Sequence, residues 1–319
     1  MNKIILTIQF ILALVIFFGC EQSMENKQDD DKLRIYTTIY PIQYTVQRIG
    51  GESVSAHSVY PTGVDVHTYE PTTKEMTNIA KADAFIYLGA GMEGFADSVG
   101  LALESTPVKS VEIGLHDELF QTKTSHSHYD HEHSHGDVDP HIWLDPTRLI
   151  EIASYVKNTL IDLQPNNKQT FTKNFDSLKK DLIQLDEEFQ DVLSRKTDKT
   201  ILVSHAAYGY WEERYGIEQL PINGLSSSEE PSQRDLTKII NKAESENMHY
   251  IIFEQNSSNR ISEIIQHHID AKALTIHNLA VLTDEDIEHH EDYISLMEKN
   301  LHVLDEALTE SPTISAQSQ

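Results

Sequence analysis

The chain has 319 residues, 39% of them hydrophobic and 24% charged, enough apolar material for the cores of two domains of ordinary size. Its 25 basic residues against 51 acidic ones give a formal net charge of -26, which repels phosphate backbones and excludes nucleic acid as a partner. A single cysteine excludes internal disulfides and cysteine-based zinc or iron–sulfur sites, whereas 17 histidines are an excess that points to metal.

At the start of the chain, Lys3 precedes an apolar stretch over residues 4–18. That stretch is shorter than the roughly 20 residues of a bilayer-spanning helix. Gly19 and then Cys20 follow. A cationic start, a short apolar core and a small residue make the layout of a secretory signal. With cysteine next, residues 1–19 read as a lipoprotein signal peptide cleaved before Cys20, whose thiol then carries lipid into the membrane. The alternative is a buried N-terminal segment with an incidental thiol. Residues 20–31 are polar, acidic and aperiodic, which suits a flexible tether.

Strand-like runs follow at residues 33–39, 53–60, 84–88 and 108–113. Thr72 with Glu75 fits a capping box opening a helix over 73–81. Asp145 and Pro146 are placed as N-cap and first residue of a helix with Leu149, Ile152, Val156 and Leu160 on one stripe. Pro165 breaks it. A second helix over 166–196 carries Phe171, Phe175, Leu178, Leu182, Leu185, Phe189 and Val192 at steps of four and three, and would span about 45 Å. A second set of strand-like runs covers 201–204, 217–222, 250–253 and 273–276, with a helix opened by Pro231 between its second and third members. A last amphipathic helix covers 292–308. The fold class is therefore α/β, with two (β/α) lobes of four-stranded, mainly parallel sheets joined by a long rigid helix. The expected boundaries are 32–165 for the N-terminal lobe, 166–196 for the linking helix, 197–309 for the C-terminal lobe and 310–319 for a tail.

Two groups of histidines could carry chemistry. His126, His128, His131, His133 and His135 crowd one polar loop, residues 125–136. A flexible tract of imidazoles collects zinc, copper or nickel, but weakly, because ordering it costs backbone entropy. The second group is dispersed. His67 lies in a turn before the capped helix, His141 directly before the Asp145–Pro146 helix start, and His205 at the end of a second-lobe strand. Ligands gather outside the carboxyl ends of strands in open α/β sheets, where a cleft would be lined. Taken singly, a histidine in such a place is more often a cap or a core residue than a ligand.

Residues 63–71 (Gly-Val-Asp-Val-His-Thr-Tyr-Glu-Pro), 139–146 (Asp-Pro-His-Ile-Trp-Leu-Asp-Pro) and 203–216 together resemble the metal motifs of the zinc/manganese family of ABC-transporter solute-binding lipoproteins. The resemblance runs from about residue 32 to 308. It implies two lobes joined by one rigid helix, with a single metal ion in the cleft between them, held by His67, His141 and His205. In that family, histidine rather than glutamate at the position of His205 and a histidine-rich loop before the second motif are features of zinc binders, so the resemblance implies the zinc branch. Three neutral imidazoles also suit Zn²⁺, while manganese prefers more carboxylate oxygens. The family's fourth ligand, a carboxylate, aligns with Ala280, which cannot ligate; water is expected to complete the tetrahedron.

A metal-bound imidazole needs an acceptor for its other N–H. Asp65, Asp139, Asp145 and backbone carbonyls are available, and Glu254, at the end of a second-lobe strand, is expected to face the cleft unless it serves as a cap or an ion-pair partner. The expected function is a monomeric, non-enzymatic, extracytoplasmic zinc receptor, lipid-anchored through Cys20 on a bacterial membrane and delivering Zn²⁺ to an ABC permease. The alternatives are a manganese receptor of the same family and a secreted three-histidine zinc hydrolase. Against the hydrolase, the chain shows no His-Glu-x-x-His, no Gly-x-Ser-x-Gly and no glycine-rich phosphate loop.

Overall fold

The computed structural model describes residues 32–121, 138–226, 228–255 and 260–310. Cys20 and the five loop histidines, His126 to His135, lie outside the described residues. The first lobe runs β1 (Leu33–Thr37), α1 (Tyr40–Gly50), β2 (Val54–Ser58), α2 (Thr73–Ile79), β3 (Ala84–Tyr87), α3 (Ala96–Leu103) and β4 (Lys109–Glu112). Its sheet has the order β2-β1-β3-β4 and every pairing is parallel, with Ile35 opposite both Ala56 and Ala84. Thr72 and Glu75 form the expected capping box on α2, each side chain bonding the other's backbone N–H.

Helix α4 (Pro146–Leu163) begins as expected, with Pro146 in its first turn and the Asp145 carboxylate accepting from the Thr147 N–H. After a 3₁₀ turn at Pro165–Asn167 comes the long helix α5 (Lys168–Ser194), whose 27 residues span about 40 Å. The second lobe follows: β5 (Lys196–Asp198), β6 (Thr200–His205), α6 (Gly209–Tyr215), β7 (Glu218–Asn223), α7 (Gln233–Ser245), β8 (Tyr250–Glu254), α8 (Arg260–His268), β9 (Lys272–Ile276), α9 (Asp284–Glu288), α10 (Tyr293–Ala307) and β10 (Thr309–Glu310). Its main sheet repeats the first, order β7-β6-β8-β9 and all parallel.

Three elements differ from the sequence reading. Helix α7 starts at Gln233 under a Ser232 cap, so Pro231 stands just outside it. Residues 309–310 pair antiparallel with β5, so residue 310, expected to open the tail, is part of a strand. Helix α1 falls where the sequence reading assigned no element, although Pro41 stands in its first turn and Ile42, Thr45, Val46 and Ile49 share one helical face. Those four residues, with Tyr40 and Tyr44, are buried, and α1 packs against the sheet, α4 and α5.

The apolar core explains why α5 acts as a strut. Phe171, Phe175, Leu178, Leu182, Leu185, Phe189 and Leu193 line its buried face, with Val192 half-buried at the margin. One continuous cluster joins these residues to the first sheet, to α4, to α10 and to the inner face of the second sheet (Ile201, Val203, Ile252, Ile276). A smaller core, around Leu202, Leu220, Ile239 and Ile251, serves only the outer part of the second lobe. The buried carboxylate of Asp186 adds a polar clamp on α5: it accepts from Arg214 Nε and Nη2 at 2.6 and 2.5 Å and from the Tyr215 hydroxyl at 3.0 Å, fastening α6 to the strut.

Candidate metal centre

His141 enters on a short segment that belongs to the first lobe in sequence but is gripped by the second. Trp143 Nε1 donates to the Asn278 carbonyl at 2.8 Å, Tyr293 Oη to the Trp143 carbonyl at 2.7 Å, and Trp211 Nε1 to the Leu144 carbonyl at 2.6 Å. Tyr210 Oη donates to the Asp139 carbonyl at 2.6 Å. Asp139 then bends back: Oδ1 accepts from the His141 backbone N–H at 2.9 Å and lies 2.8 Å from its Nδ1. Gly209, at the start of α6, permits this approach, since a Cβ there would stand 2.6 Å from Asp139 Oδ2. His141 is 2% exposed.

His205 is the last residue of β6, at the carboxyl edge of the second sheet. Its Nδ1 lies 2.5 Å from Oε1 of Glu254, the last residue of the neighbouring β8. Parallel pairing of β6 with β8 puts the two residues side by side. Glu254 is buried, and its other bonds come from the Tyr208 hydroxyl to Oε1 at 3.3 Å and from Asn278 Nδ2 to Oε2 at 2.8 Å.

His67 sits on a half-buried turn between β2 and α2. Gly63, at φ 69°, takes the left-handed conformation the turn needs, and its N–H donates to the Leu282 carbonyl at 3.1 Å. Thr62 Oγ1 donates to Asp284 Oδ1 at 2.6 Å. Asp65 Oδ1 accepts from the His67 backbone N–H at 2.9 Å, and Tyr60 Oη donates to the Val66 carbonyl at 3.3 Å.

These three elements bring His67, His141 and His205 together, so that one ligand atom from each lies within 4.8 Å of the others. His205 Nε2 and His141 Nε2 are 3.4 Å apart. Tetrahedral zinc at roughly 2.0–2.1 Å from nitrogen gives ligand–ligand edges of roughly 3.3–3.4 Å, so this pair already stands at the required spacing. Because carboxylates only accept, the Nδ1–H of each ring points to Asp139 or Glu254, leaving both Nε2 lone pairs facing one another. Two lone pairs in that arrangement repel unless a cation or a proton sits between them.

The electrostatics suit a cation. Burial, and then the neighbouring His141 and His205, push the His67 pKa down to about 4, so at neutral pH the ring is uncharged and free to ligate. For Glu254, burial favours the protonated form, but adjacent His205 and the bonds from His205 and Asn278 outweigh it and hold the carboxyl at about 2. Burial likewise opposes charge on His205, and Glu254 reverses that, raising its pKa.

Of the supporting carboxylates expected from sequence, Asp139 and Glu254 reach imidazoles, while Asp65 braces the backbone of His67. Asp145 does something else. Its N-cap geometry turns the carboxylate to the Thr147 N–H and hydroxyl, both at 2.8 Å, with Arg148 and Arg214 at 3.5 and 3.7 Å. Ala280 is buried and supplies only backbone bonds, to Asn278 Oδ1 and from the Tyr40 N–H. Asp284 and Glu285 form the first turn of α9. The sequence reading gave no role to Trp143, Tyr208 or Asn278, although the first two lie inside the motif segments 139–146 and 203–216.

The family model for the zinc-uptake complex component A, periplasmic (ZnuA), matches residues 35–307. The zinc-binding lipoprotein AdcA of Streptococcus pneumoniae is 31% identical over 320 residues, covering 98% of this chain and 63% of AdcA. The chain thus spans under two thirds of the length of that relative. The high-affinity zinc uptake system protein ZnuA of Bacillus subtilis is 30% identical over 307 residues, covering 94% of this chain and 96% of ZnuA. Among solved structures, the Zn(II)-bound ZnuA-like domain of Streptococcus pneumoniae AdcA superposes with a TM-score of 0.72 at 30% identity, covering 86% of this chain and 98% of that domain.

Proposed function

This chain belongs to the ZnuA family of zinc-uptake complex components, and from that premise we propose that it captures Zn²⁺ outside the cytoplasm and delivers it to an ABC-type permease. His67, His141 and His205 are the proposed protein ligands, with water as the fourth. The observation that carries the reading is the facing pair of Nε2 atoms 3.4 Å apart, each ring held in place through its other nitrogen by a buried or half-buried carboxylate. An all-imidazole set favours zinc over manganese, which prefers oxygen. Against a zinc hydrolase stands the commitment of Asp139 and Glu254 to ring N–H groups, which leaves neither free as a general base.

The proposed sequence is simple. His126, His128, His131, His133 and His135 raise the local zinc concentration; the three cleft imidazoles then strip most water from the ion. Binding favours the arrangement that the permease recognises, a population shift driven by the metal's differential affinity. Lipid on Cys20 would tether a monomer to the bacterial membrane surface, in keeping with the lipoprotein name of AdcA. The test is calorimetric titration of metal-free protein with Zn²⁺ and Mn²⁺ in competition. One tight zinc equivalent should outcompete manganese and survive deletion of residues 125–136, with only weaker equivalents lost. A preference for manganese, or loss of the tight equivalent with the loop, would overturn the reading.

A further inference from the structure

We propose that Asn278 is a positioning residue that locks Glu254, and through it the ring plane of His205, while tying that assembly to the segment bearing His141. This rests on the three-histidine reading of the site. Asn278 lies just past β9 and makes bonds in four directions. Its Oδ1 accepts from the Ala280 backbone N–H at 3.0 Å and from Gln255 Nε2 at 2.8 Å. A backbone N–H is an unambiguous donor, so these contacts fix the amide's orientation and leave Nδ2 facing Glu254 Oε2 at 2.8 Å. Its backbone N–H donates to Gln255 Oε1 at 2.8 Å, closing a paired contact with that side chain. Its carbonyl accepts the Trp143 indole N–H at 2.8 Å, two residues from His141.

The consequence follows from what Glu254 must do. Its carboxylate accepts from His205 Nδ1–H through Oε1, and a carboxylate with one free oxygen could rotate away from that bond. Tyr208 at Oε1 and Asn278 at Oε2 remove the freedom from both ends. Fixing the carboxylate plane fixes the imidazole plane, and with it the direction of the Nε2 lone pair. The same residue links the supports of the two buried histidines, because Asn278 holds Glu254 with its side chain and Trp143 with its backbone.

Asn278→Asp is the sharpest probe. It keeps the oxygen that Ala280 and Gln255 need, replaces the donor to Glu254 with an acceptor, and sets a second negative charge against that carboxylate. The expected result is a loss of zinc affinity of about tenfold or more, the scale of outer hydrogen-bond partners of metal ligands, with a changed visible spectrum of the Co²⁺-loaded protein. In a Glu254→Gln background the same substitution should cost much less, because the two residues act in series. Gln255→Ala, which loosens Asn278 without touching Glu254, should give a smaller loss in the same direction, and serves if Asn278→Asp folds poorly. Unchanged zinc affinity in both Asn278→Asp and Gln255→Ala, or an undiminished effect of Asn278→Asp in the Glu254→Gln background, would overturn the proposal. Failure of the unaltered protein to bind zinc tightly would instead bring down the three-histidine reading and this inference with it.

Discussion

The two halves of the proposed metal centre are built differently. His141 and His205 are buried, face each other at 3.4 Å, and are held by Asp139 and Glu254 within a lattice of cross-lobe bonds from Trp143, Tyr210, Trp211 and Tyr293. His67 rides a half-buried turn whose ties to the other lobe are the Gly63 N–H to Leu282 and the Thr62 hydroxyl to Asp284. The first half is part of the core's architecture, and the second is laid over it. Ligation and stability should therefore separate: one half serves both, the other mainly ligation.

The largest effect is expected at His205. His205→Ala should abolish tight zinc binding and also destabilise the metal-free protein by roughly 3 kcal/mol, the lower end of the cost of leaving a buried carboxylate without its charged partner, since Tyr208 and Asn278 still bond Glu254. His67→Ala should also abolish tight binding yet leave metal-free stability at pH 7 almost unchanged. Equal melting temperatures for the two metal-free variants would erase the contrast. Next comes Asp139→Asn, which removes the charged acceptor from His141; zinc affinity should fall about 10- to 100-fold in a chelator competition.

The pH dependence of the metal-free protein is a finer probe. His67 is lowered from 6.5 to about 4, so between those values the unfolded chain binds a proton that the folded chain refuses. Its contribution to stability therefore falls as pH drops through that window. His205 has the opposite sign, because its pKa is raised and folding gains from its protonation as pH falls. His67→Ala should accordingly remove a loss, making the variant relatively more stable at pH about 4.5 than at pH 7 when both proteins are followed by thermal melts. The smallest effect on the site belongs to Asp145→Ala. It should cost about 1 kcal/mol or more of stability through the lost α4 cap and arginine contacts, with zinc affinity unchanged. A drop in affinity there would restore Asp145 to the site.

What could be read from the sequence follows the range of the interactions. The eight main strands announce themselves as short apolar runs, and α5 as a stripe, because burial there is periodic and local. Helix α1 is marked by the same kind of local spacing, Ile42, Thr45, Val46 and Ile49 on one face, but the β-branched character of those residues blurs it. His67, His141 and His205 occupy suggestive segment ends, but their convergence is set by sheet register and cross-lobe bonds, which local spacing does not encode. Family resemblance supplied that step. Asp145 misled because nearness in sequence to His141 says nothing of direction, and a capping carboxylate points into its own helix. Asn278 was invisible for the converse reason: its role arises from bonds to residues distant in sequence, Glu254 and Trp143.

The proposed function requires three imidazoles to share one ion. X-ray absorption at the zinc edge of the singly loaded protein tests this most directly. It should show about four nitrogen or oxygen neighbours at roughly 2.0–2.1 Å with the outer-shell scattering of three imidazole rings, and two rings in His67→Ala. Fewer than three rings in the unaltered protein, or a spectrum that His67→Ala leaves unchanged, would contradict it.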